Sequence, residues 1–330
     1  MRKNKLLHIL ALGLVCAAVA VSCGGTAQQN THRHKVAVVV KSTRSEFFQS
    51  AFAGAQAAAT EYNLELSIRA PLTEEDWETQ NQLVEEAVEQ GAEAIVFSAV
   101  DYEKNVPPIE AALRAGVCVA AIDSSVNCEG ISTYIGTDNY AAGRMAAQAV
   151  LESGLEEYYV GLVNFDGNSF NGRQREQGVR EALAEQGIGI VAAKNSFATA
   201  GNANRTTLSM LAEYPQINVI IAFNEPTTVG AARAVSTLEK EEEILLVGFD
   251  SNVETVDKLQ TGAVDALVVQ NPYAMGYLGV ESAARLLNGL PLQTEEKVDT
   301  STVVVTRENM FSPEGQKMLF PFDSSVSREG

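Results

Sequence analysis

Histidine is almost missing from this sequence of 330 residues. The three histidines are His8, His32 and His34, so none occurs from Lys35 to Gly330. Ser-His-Asp and Cys-His catalytic systems and His-ligated metal sites depend on that side chain. The sequence also lacks a P-loop, a zinc-type cysteine spacing and a Gly-x-Gly-x-x-Gly motif after the first predicted strand. We therefore expect neither a metal nor a cofactor, and among enzymes only a carboxylate-based mechanism stays open.

Positive charge is also scarce, because 24 Lys and Arg residues stand against 42 Asp and Glu residues, for a net charge of -18. A surface this acidic repels nucleic acid and anionic lipid, so we expect no nucleic-acid partner. After Ser22, charged residues interrupt every apolar run before it reaches the length of a transmembrane helix. The composition favours a soluble body that is held at a membrane only by an attached lipid.

Only four cysteines are present, and Cys16 and Cys23 fall in the N-terminal region. Cys118 lies in the apolar run GVCVAAID, which is typical of a buried thiol, and Cys128 lies in the segment that follows. An exported protein permits a disulfide between these two cysteines. The sequence alone leaves both a disulfide and two free thiols open.

The first 22 residues have the pattern of a secretory signal peptide. A basic start, MRKNK, precedes an apolar run from Leu6 to Val21, and the segment AVSC that ends at Cys23 resembles a bacterial lipobox. This resemblance predicts cleavage before Cys23 and lipidation of its thiol, with plain secretion or an uncleaved anchor as alternatives. Residues 23–34 are predicted to be a flexible tether to a lipid anchor, in the periplasm or on the outer face of the cell membrane.

From Val36 onward, short apolar runs alternate with amphipathic stretches. Such alternation of continuous apolar strands with helices predicts parallel sheets covered on both faces. One doubly wound domain needs about half as many strands as this pattern contains, so we predict two domains of the same kind. The predicted strands are 35–41, 64–70, 92–99, 116–123, 158–165, 189–196, 217–224, 243–250, 263–271 and 301–306.

Polar and aromatic residues cluster where these strands end, which is where ligands bind in open α/β sheets. Carboxylates and amides hydrogen-bond hydroxyl groups, Arg donates several hydrogen bonds, and Phe rings cover C–H surfaces. The set predicts a neutral ligand rich in hydroxyl groups. Each of these residues also has a structural alternative. The strand-end aspartates could be caps, Asn224 could cap the helix at Thr227, and Phe47 or Phe48 could pack the first helix. Arg173 could be a solvated helix residue, with Arg175 as the competing candidate for the ligand-binding arginine.

Seven stretches, in this order, resemble the ribose-binding type of periplasmic sugar-binding protein: STRSEFF, VCVAAID, YIGTDNYAAGRMAA, NSFNGRQREQGV, IIAFNE, LLVGFD and ALVVQNPYAMG. The resemblance implies an α/β fold of two doubly wound parallel-sheet domains joined by a three-strand hinge, the periplasmic binding protein type I fold. It implies an N-terminal lobe of residues 35–137 and 272–300, and a C-terminal lobe of residues 138–271 and 301–330. Regulators of the lac-repressor type share this fold, but they carry a DNA-binding headpiece where this chain has an export signal.

By position, the resemblance implies ligand-binding roles for Ser42, Ser45, Phe47, Phe48, Asp123, Arg173, Asn224, Phe249, Asp250 and Gln270. Ser45 stands where ribose binders have Asn, and Ser42 is a weaker match. Ser124 replaces the Arg that follows the acid in ribose binders, and Ala198, beside Phe197, replaces an aromatic residue. These departures should change the size or stereochemistry of the ligand, so ribose itself is not assigned, and a pentose, a hexose, a polyol or a similar small hydroxylated ligand all fit.

The resemblance implies a monomeric extracytoplasmic receptor, and no enzyme, that binds a sugar or polyol between its lobes and delivers it to an ABC permease in the membrane. A sensory receptor that presents its ligand-bound form to a chemoreceptor or sensor kinase is the alternative. A glycosidase that uses Asp123 and Asp250 as its acid pair is disfavoured, because both residues occupy ligand-acceptor positions. The segment after Arg307 extends beyond the family's usual end, and its role is open.

Overall fold

The computed structural model describes residues 33–292 and 297–320. The predicted signal peptide, the lipidation site Cys23 and most of the predicted tether lie outside the described residues. Within the described ranges, no helix combines the length and apolar character that crossing a bilayer requires. The thiols of Cys118 and Cys128 are both free.

Twelve strands occur in the described residues, and they include all ten that the sequence predicts. Two further strands have only three residues each, which is too short for a recognisable apolar run. The strands are β1 (Lys35–Val39), β2 (Glu65–Arg69), β3 (Ala94–Phe97), β4 (Cys118–Ile122), β5 (Tyr134–Gly136), β6 (Val160–Asn164), β7 (Ile190–Asn195), β8 (Val219–Ala222), β9 (Leu245–Phe249), β10 (Ala266–Val269), β11 (Lys297–Asp299) and β12 (Val303–Thr306).

Helices separate most of these strands along the chain, as the predicted alternation requires. The last helix lies in the segment after Arg307 and was not predicted from the sequence. The helices are α1 (Glu46–Glu61), α2 (Trp77–Glu89), α3 (Val106–Arg114), α4 (Asn139–Leu151), α5 (Phe170–Ala184), α6 (Ala200–Glu213), α7 (Glu225–Thr237), α8 (Val253–Thr261), α9 (Pro272–Leu287) and α10 (Pro313–Leu319).

The strands form two sheets of six. The first sheet has the order β11-β5-β4-β3-β1-β2, and all its neighbouring strands run parallel. The second has the order β12-β10-β9-β8-β6-β7 and is parallel except for the edge strand β12, which pairs antiparallel with β10. The two sheets thus repeat one doubly wound design.

The chain passes between the two sheets three times: after β5, after β10 and between β11 and β12. Helices α1, α2, α3 and α9 pack on the first sheet, and we call this unit the first lobe. Helices α4 to α8 and α10 pack with the second sheet as the second lobe. On these memberships we propose that the chain divides at residues 137/138, 271/272 and 300/301.

Strand β1, KVAVV, shows why the four residues after Lys35 form a continuous apolar run. Val36 and Val38 pack into the core on one face of the first sheet, beside Ile122. Ala37 and Val39 pack into the core on the other face. A strand covered on both sides needs apolar residues at every position, and each buried Val contributes roughly 1.5–3 kcal/mol.

Candidate ligand-binding cleft

Residues that follow the carboxyl ends of strands in both lobes enclose a cavity, which we call the cleft cavity. The space that protein atoms leave unfilled there is about 270 Å³, part of it open to solvent. The lining residues are Lys41, Ser45, Phe47, Phe48, Glu74, Asp123, Phe165, Asn171, Arg175, Asn224, Glu225, Pro226, Asp250 and Gln270.

The two lobes touch across this cavity, so the structure is the closed conformation. The hydroxyl of Ser45 donates a hydrogen bond of 2.7 Å to Oε2 of Glu225, and the backbone N–H of Phe47 donates to the same oxygen at 3.0 Å. From the other side, Nδ2 of Asn171 donates to Oδ1 of Asp123 at 3.1 Å. Carboxylates of each lobe are therefore held by donors of the opposite lobe.

Asp123 and Asp250 occupy matching positions, directly after β4 of the first lobe and β9 of the second. Both have left-handed backbones, with φ of 56° and 68°. Asp tolerates this region better than most residues, but it is sparsely populated outside glycine. Backbone strain of this kind concentrates at functional sites, where the surrounding structure imposes it. The strained turn directs both carboxylates into the buried cleft.

A buried cation accompanies Asp123. Lys41, the residue after the apolar run that contains β1, is only 2% exposed. Its Nζ lies 3.3 Å from Oδ2 of Asp123 and 5.3 Å from the centre of the Phe165 ring. The hydroxyl of Ser98 donates to the same Asp123 oxygen at 2.7 Å. Asp123 is therefore held as an ion pair with an additional hydrogen bond.

Asp250 has neutral hydrogen-bond donors and no ion-pair partner within the described residues. The backbone N–H of Glu225 donates to its Oδ2 at 2.9 Å, and Nε2 of Gln270 donates to its Oδ1 at 2.5 Å. Burial raises the pKa of Asp250 to about 6, although the positive charge of Arg175 acts in the opposite direction. This carboxyl group therefore titrates close to neutral pH.

Glu74 adds a further carboxyl group from the segment between β2 and α2. Burial raises its pKa to about 7, and the negative charges of Asp123, Glu225 and Asp250 act in the same direction. Lys41 opposes this shift, with its Nζ 3.6 Å from Oε2 of Glu74. Lys41 thus lies between two buried carboxyl groups of the first lobe.

Arg175 is the buried cation of the second lobe, with 1% of its surface exposed. Its Nε donates to Oδ1 of Asn139 at 2.9 Å, its Nη1 donates to the carbonyl oxygen of Phe223 at 2.7 Å, and its guanidinium lies 4.5 Å above the Phe249 ring. The third nitrogen, Nη2, has no hydrogen-bond partner in the described part of the chain. The same holds for Oε1 of Gln270. The cleft thus contains an unpaired buried donor and an unpaired buried acceptor.

Close packing of α5 against α4 positions Arg175. A Cβ atom on Gly143 would lie 2.1 Å from the carbonyl oxygen of Arg175, and one on Gly178 would lie 2.1 Å from that of Tyr140. The two helices can approach this closely only because both positions lack a side chain. The start of α5 is fixed by Ser169, whose hydroxyl accepts the N–H of Gly172.

Comparison with known proteins agrees with this architecture. The family model described as a periplasmic binding protein domain matches residues 36–291. This chain belongs to the periplasmic binding protein family. The predicted type I fold, with two parallel-sheet α/β lobes, is therefore confirmed.

Relatives within the family cover nearly the whole chain. The D-ribose/D-allose-binding protein of Pseudomonas aeruginosa is 25% identical over 309 residues, which cover 89% of this chain and 97% of the relative. A carbohydrate transporter solute-binding protein of Agrobacterium radiobacter, solved with D-arabinose, has a TM-score of 0.83 at 27% identity and covers 87% of this chain and 99% of its own. An ABC transporter solute-binding protein of Agrobacterium vitis, solved with D-fucose, has a TM-score of 0.82 at 29% identity, with coverages of 86% and 99%.

The structure corrects the choice of Arg173. This side chain is exposed, its guanidinium stacks 4.7 Å from the centre of the Tyr102 ring, and it does not line the cleft cavity. Residues two positions apart on an α-helix point to nearly opposite sides, since each residue turns the helix by about 100°. The two arginines therefore point in opposite directions: Arg175 faces the cleft and Arg173 faces outward.

Seven of the other residues that we predict to bind the ligand line the cleft cavity: Ser45, Phe47, Phe48, Asp123, Asn224, Asp250 and Gln270. Ser42 does not, because its hydroxyl accepts the N–H of Arg44 within its own loop and borders a neighbouring space. Phe249 is fully buried beneath Arg175 instead of facing the cavity. Asn224 lines the cavity and also caps a helix, since it forms a capping box with Thr227 at the start of α7.

Sequence reasoning missed several residues of the cleft. Lys41 and Phe165 sit at strand ends, and Glu225 directly follows Asn224, so their positions carried a signal. Glu74 follows β2 by several residues in an irregular segment, and nothing in the sequence marked it. The cleft residues absent from the prediction are Lys41, Glu74, Phe165, Asn171, Arg175, Glu225 and Pro226.

The departures from the ribose-binding pattern have counterparts in the structure. Phe197 is mostly exposed, and the backbone N–H of Ala198 donates to Oε1 of Glu75 at 2.6 Å, so neither supplies a ring to the cleft. Phe165 presents an aromatic ring in the cavity. Ser124 is buried and cannot supply the positive charge of the Arg that it replaces. Lys41, which follows β1, supplies a positive charge beside Asp123 instead.

Proposed function

We propose that this protein is an extracytoplasmic receptor that binds a monosaccharide or polyol in the cleft cavity and delivers it to an ABC-type importer. The observation that carries the proposal is the pair of unpartnered polar atoms in the buried cleft, Nη2 of Arg175 and Oε1 of Gln270. A buried polar atom without a partner costs about 1–3 kcal/mol, and a ligand hydroxyl group both donates and accepts. Such a ligand removes both costs at once.

The charges of the cleft favour a neutral ligand. Four carboxyl groups line it, from Glu74, Asp123, Glu225 and Asp250, against the two cations Lys41 and Arg175. An anionic ligand such as a sugar phosphate would meet an excess of negative charge in a poorly hydrated space. Hydroxyl groups satisfy carboxylates without adding charge, and the Phe47 and Phe165 rings suit the C–H faces of a sugar.

Binding would operate by closure of the two lobes. Ser45 and Phe47 of the first lobe reach Glu225 of the second only when the cleft is shut. A ligand that contacts both lobes therefore shifts the population toward this form. A mismatched epimer would leave a buried partner unpaired, at a cost of about 1–3 kcal/mol, which provides stereochemical selectivity.

Relatives of this chain are named for import and for sugars, which favours delivery to an importer over sensing or catalysis. The relatives reported above are a ribose/allose binder and two solute-binding proteins solved with D-arabinose and D-fucose. The cleft differs from the ribose-binding pattern at Ser45, Ser124 and Ala198. We therefore propose a ligand of this sugar class without assigning ribose itself, with no cofactor, bound by a monomer.

We further propose that the chain is exported and anchored through lipid on Cys23. The basis is the basic and apolar N-terminus followed by AVSC. Metabolic labelling with a palmitate analogue tests this: label should enter the wild-type protein and be lost in Cys23→Ala. Labelling that persists in Cys23→Ala would disprove the anchor while leaving the receptor proposal untouched.

A thermal-shift screen of residues 24–330 against monosaccharides, polyols and sugar phosphates tests the receptor proposal. A ligand at roughly a hundred times its dissociation constant adds about 2.7 kcal/mol of stability. We expect at least one neutral sugar to shift the transition in the wild type and in Arg173→Met, and to lose its effect in Arg175→Met. Stabilisation by sugar phosphates alone, or by no hydroxylated compound, would contradict the proposal.

A further inference from the structure

A second cavity adjoins the cleft, and its lining is largely apolar. This side cavity leaves about 1,020 Å³ unfilled by protein atoms, part of it open to solvent. We propose that the ligand is a glycoside whose sugar occupies the cleft and whose small apolar aglycone occupies the side cavity. The inference rests on the proposed function, because it extends the ligand of the same site.

The side cavity and the cleft cavity share part of their walls. Phe47, Asp250 and Gln270 line both spaces. A sugar that is hydrogen-bonded to Asp250 and Gln270 therefore lies at the boundary of the side cavity. A substituent on that sugar reaches the side cavity without leaving the site.

The wall of the side cavity has the composition of a small-molecule site. Met318, Leu319 and Phe320 form one side, and Pro272 and Val253 border it elsewhere. Polar residues interrupt this apolar surface, namely Glu46, Ser50, Asp250, Ser251, Asn252 and Gln270. Among them the hydroxyl of Ser50, 4% exposed, has no hydrogen-bond partner within the described residues. Apolar walls with a few placed polar groups are typical of ligand sites. The unpaired hydroxyl suits a glycosidic or aglycone oxygen.

The apolar side of this cavity belongs to α10 and the residue that follows it. The family match ends at residue 291, so this wall comes from chain beyond the matched domain. The hydroxyl of Ser251 donates to the carbonyl oxygen of Leu319 at 3.4 Å, which ties the end of α10 to the loop after Asp250. The C-terminal segment thereby gains a role, as the outer wall of an enlarged ligand site.

Isothermal titration of D-arabinose, D-fucose and D-allose against both anomers of their phenyl glycosides tests the inference. We expect at least one phenyl glycoside to bind about tenfold or more tighter than its parent sugar, because burial of apolar surface is favourable in proportion to its area. Ser50→Leu fills the side cavity from α1 and should abolish that preference while the parent sugar binds as before. Ala53→Leu, on the exposed side of the same helix, should change neither affinity.

A second variant keeps the test decisive if Ser50→Leu folds poorly. Val253 lies at the rim and is 75% exposed, so Val253→Trp obstructs the side cavity without disturbing the core. It should reduce the glycoside preference in the same way.

Each remaining outcome overturns the inference. Parent sugars that bind as tightly as every glycoside would overturn it and leave the receptor proposal standing. Failure of all sugars and glycosides to bind the wild type would count against both. A preference that emerges only after removal of residues 321–330 would show that the chain's own end occupies the side cavity.

Discussion

Asp123 and Asp250 occupy equivalent positions in the two lobes, but the charges around them differ. Each follows a buried strand, has a left-handed backbone and is almost fully buried. Asp123 has Lys41 at 3.3 Å, whereas the donors to Asp250 are a backbone N–H and an amide. The fold therefore fixes where the two carboxyl groups lie, while the neighbouring side chains decide which charges and donors surround each one.

This difference matters for ligand binding. A buried carboxyl group whose pKa is raised to about 6 is partly protonated at neutral pH. Hydroxyl donors from a ligand stabilise its ionised form, so binding at Asp250 should release protons. The ion pair of Asp123 with Lys41 instead presents a charge that is already compensated.

The largest effect should come from Arg175→Met, which removes the cation that opposes the raised pKa of Asp250. The change leaves the Asn139 and Phe223 acceptors unpaired, at a cost of about 1–3 kcal/mol for each buried acceptor. We expect sugar affinity to fall at least about 100-fold, measured by isothermal titration. Arg173→Met, two residues away and exposed, is the matched control. Similar losses in both variants would refute the assignment of Arg175 to the site.

The pair Asp123→Asn and Asp250→Asn tests the comparison directly. Among the described residues, Asp123→Asn leaves Lys41 with Glu74 as its one ion-pair partner, so the ligand-free protein should lose about 1–3 kcal/mol of stability. Asp250→Asn removes a carboxylate that burial disfavours, so stability at pH 8 should stay equal or rise. Urea unfolding of the ligand-free protein measures both, and both variants should bind sugar poorly. Stability changes of the same sign and size would contradict the proposed difference.

Most of the architecture could be predicted from the sequence because it depends on the periodicity of apolar residues and on the order of strands and helices along the chain. Buried strands such as β1 read as continuous apolar runs, and the strand ends then located Asp123, Asp250 and Gln270. The short strands β5 and β11 were missed because three residues are too few to show a recognisable apolar pattern.

The remaining cleft residues depend on details that the sequence pattern does not encode. Arg173 and Arg175 differ only in helical phase, which the close approach of α4 and α5 at Gly143 settles. Glu74 enters the cleft from an irregular segment, so its position follows from tertiary packing. Lys41 could have been chosen, because a lysine that ends an apolar strand must find a partner or reach solvent.

A smaller effect is expected from pH. Burial raises the pKa of Glu74 to about 7 and that of Asp250 to about 6, from ordinary values of 4.5 and 3.8. Between about pH 4 and 7 the folded protein therefore retains protons that the unfolded chain has released, so stability falls as pH rises through this window. Glu74→Gln should flatten the fall by on the order of 1–3 kcal/mol.

Thermal unfolding of the ligand-free protein from pH 5 to pH 8 measures this dependence. Glu85→Gln is the control, because Glu85 is exposed on α2 and its removal changes the net charge equally. Identical pH profiles for Glu74→Gln and Glu85→Gln would show that the fall reflects overall charge repulsion instead of the cleft.

The smallest effect should follow from Ser45→Ala, which tests how the lobes are held together. Glu225 would lose one donor but keep the Phe47 N–H at 3.0 Å and Nδ2 of Asn252 at 3.1 Å. Because the lost bond exists only in the closed form, sugar affinity should fall about 5- to 30-fold, or about 1–2 kcal/mol. Ser42→Ala is the control, since in the described part of the chain its hydroxyl bonds the Arg44 N–H of its own loop and does not reach the other lobe, and the sugar affinity of this variant should stay within about twofold. If both variants lose affinity equally, the Ser45–Glu225 contact does not couple closure to binding, and the sugar's own contacts with the two lobes must supply the closing energy.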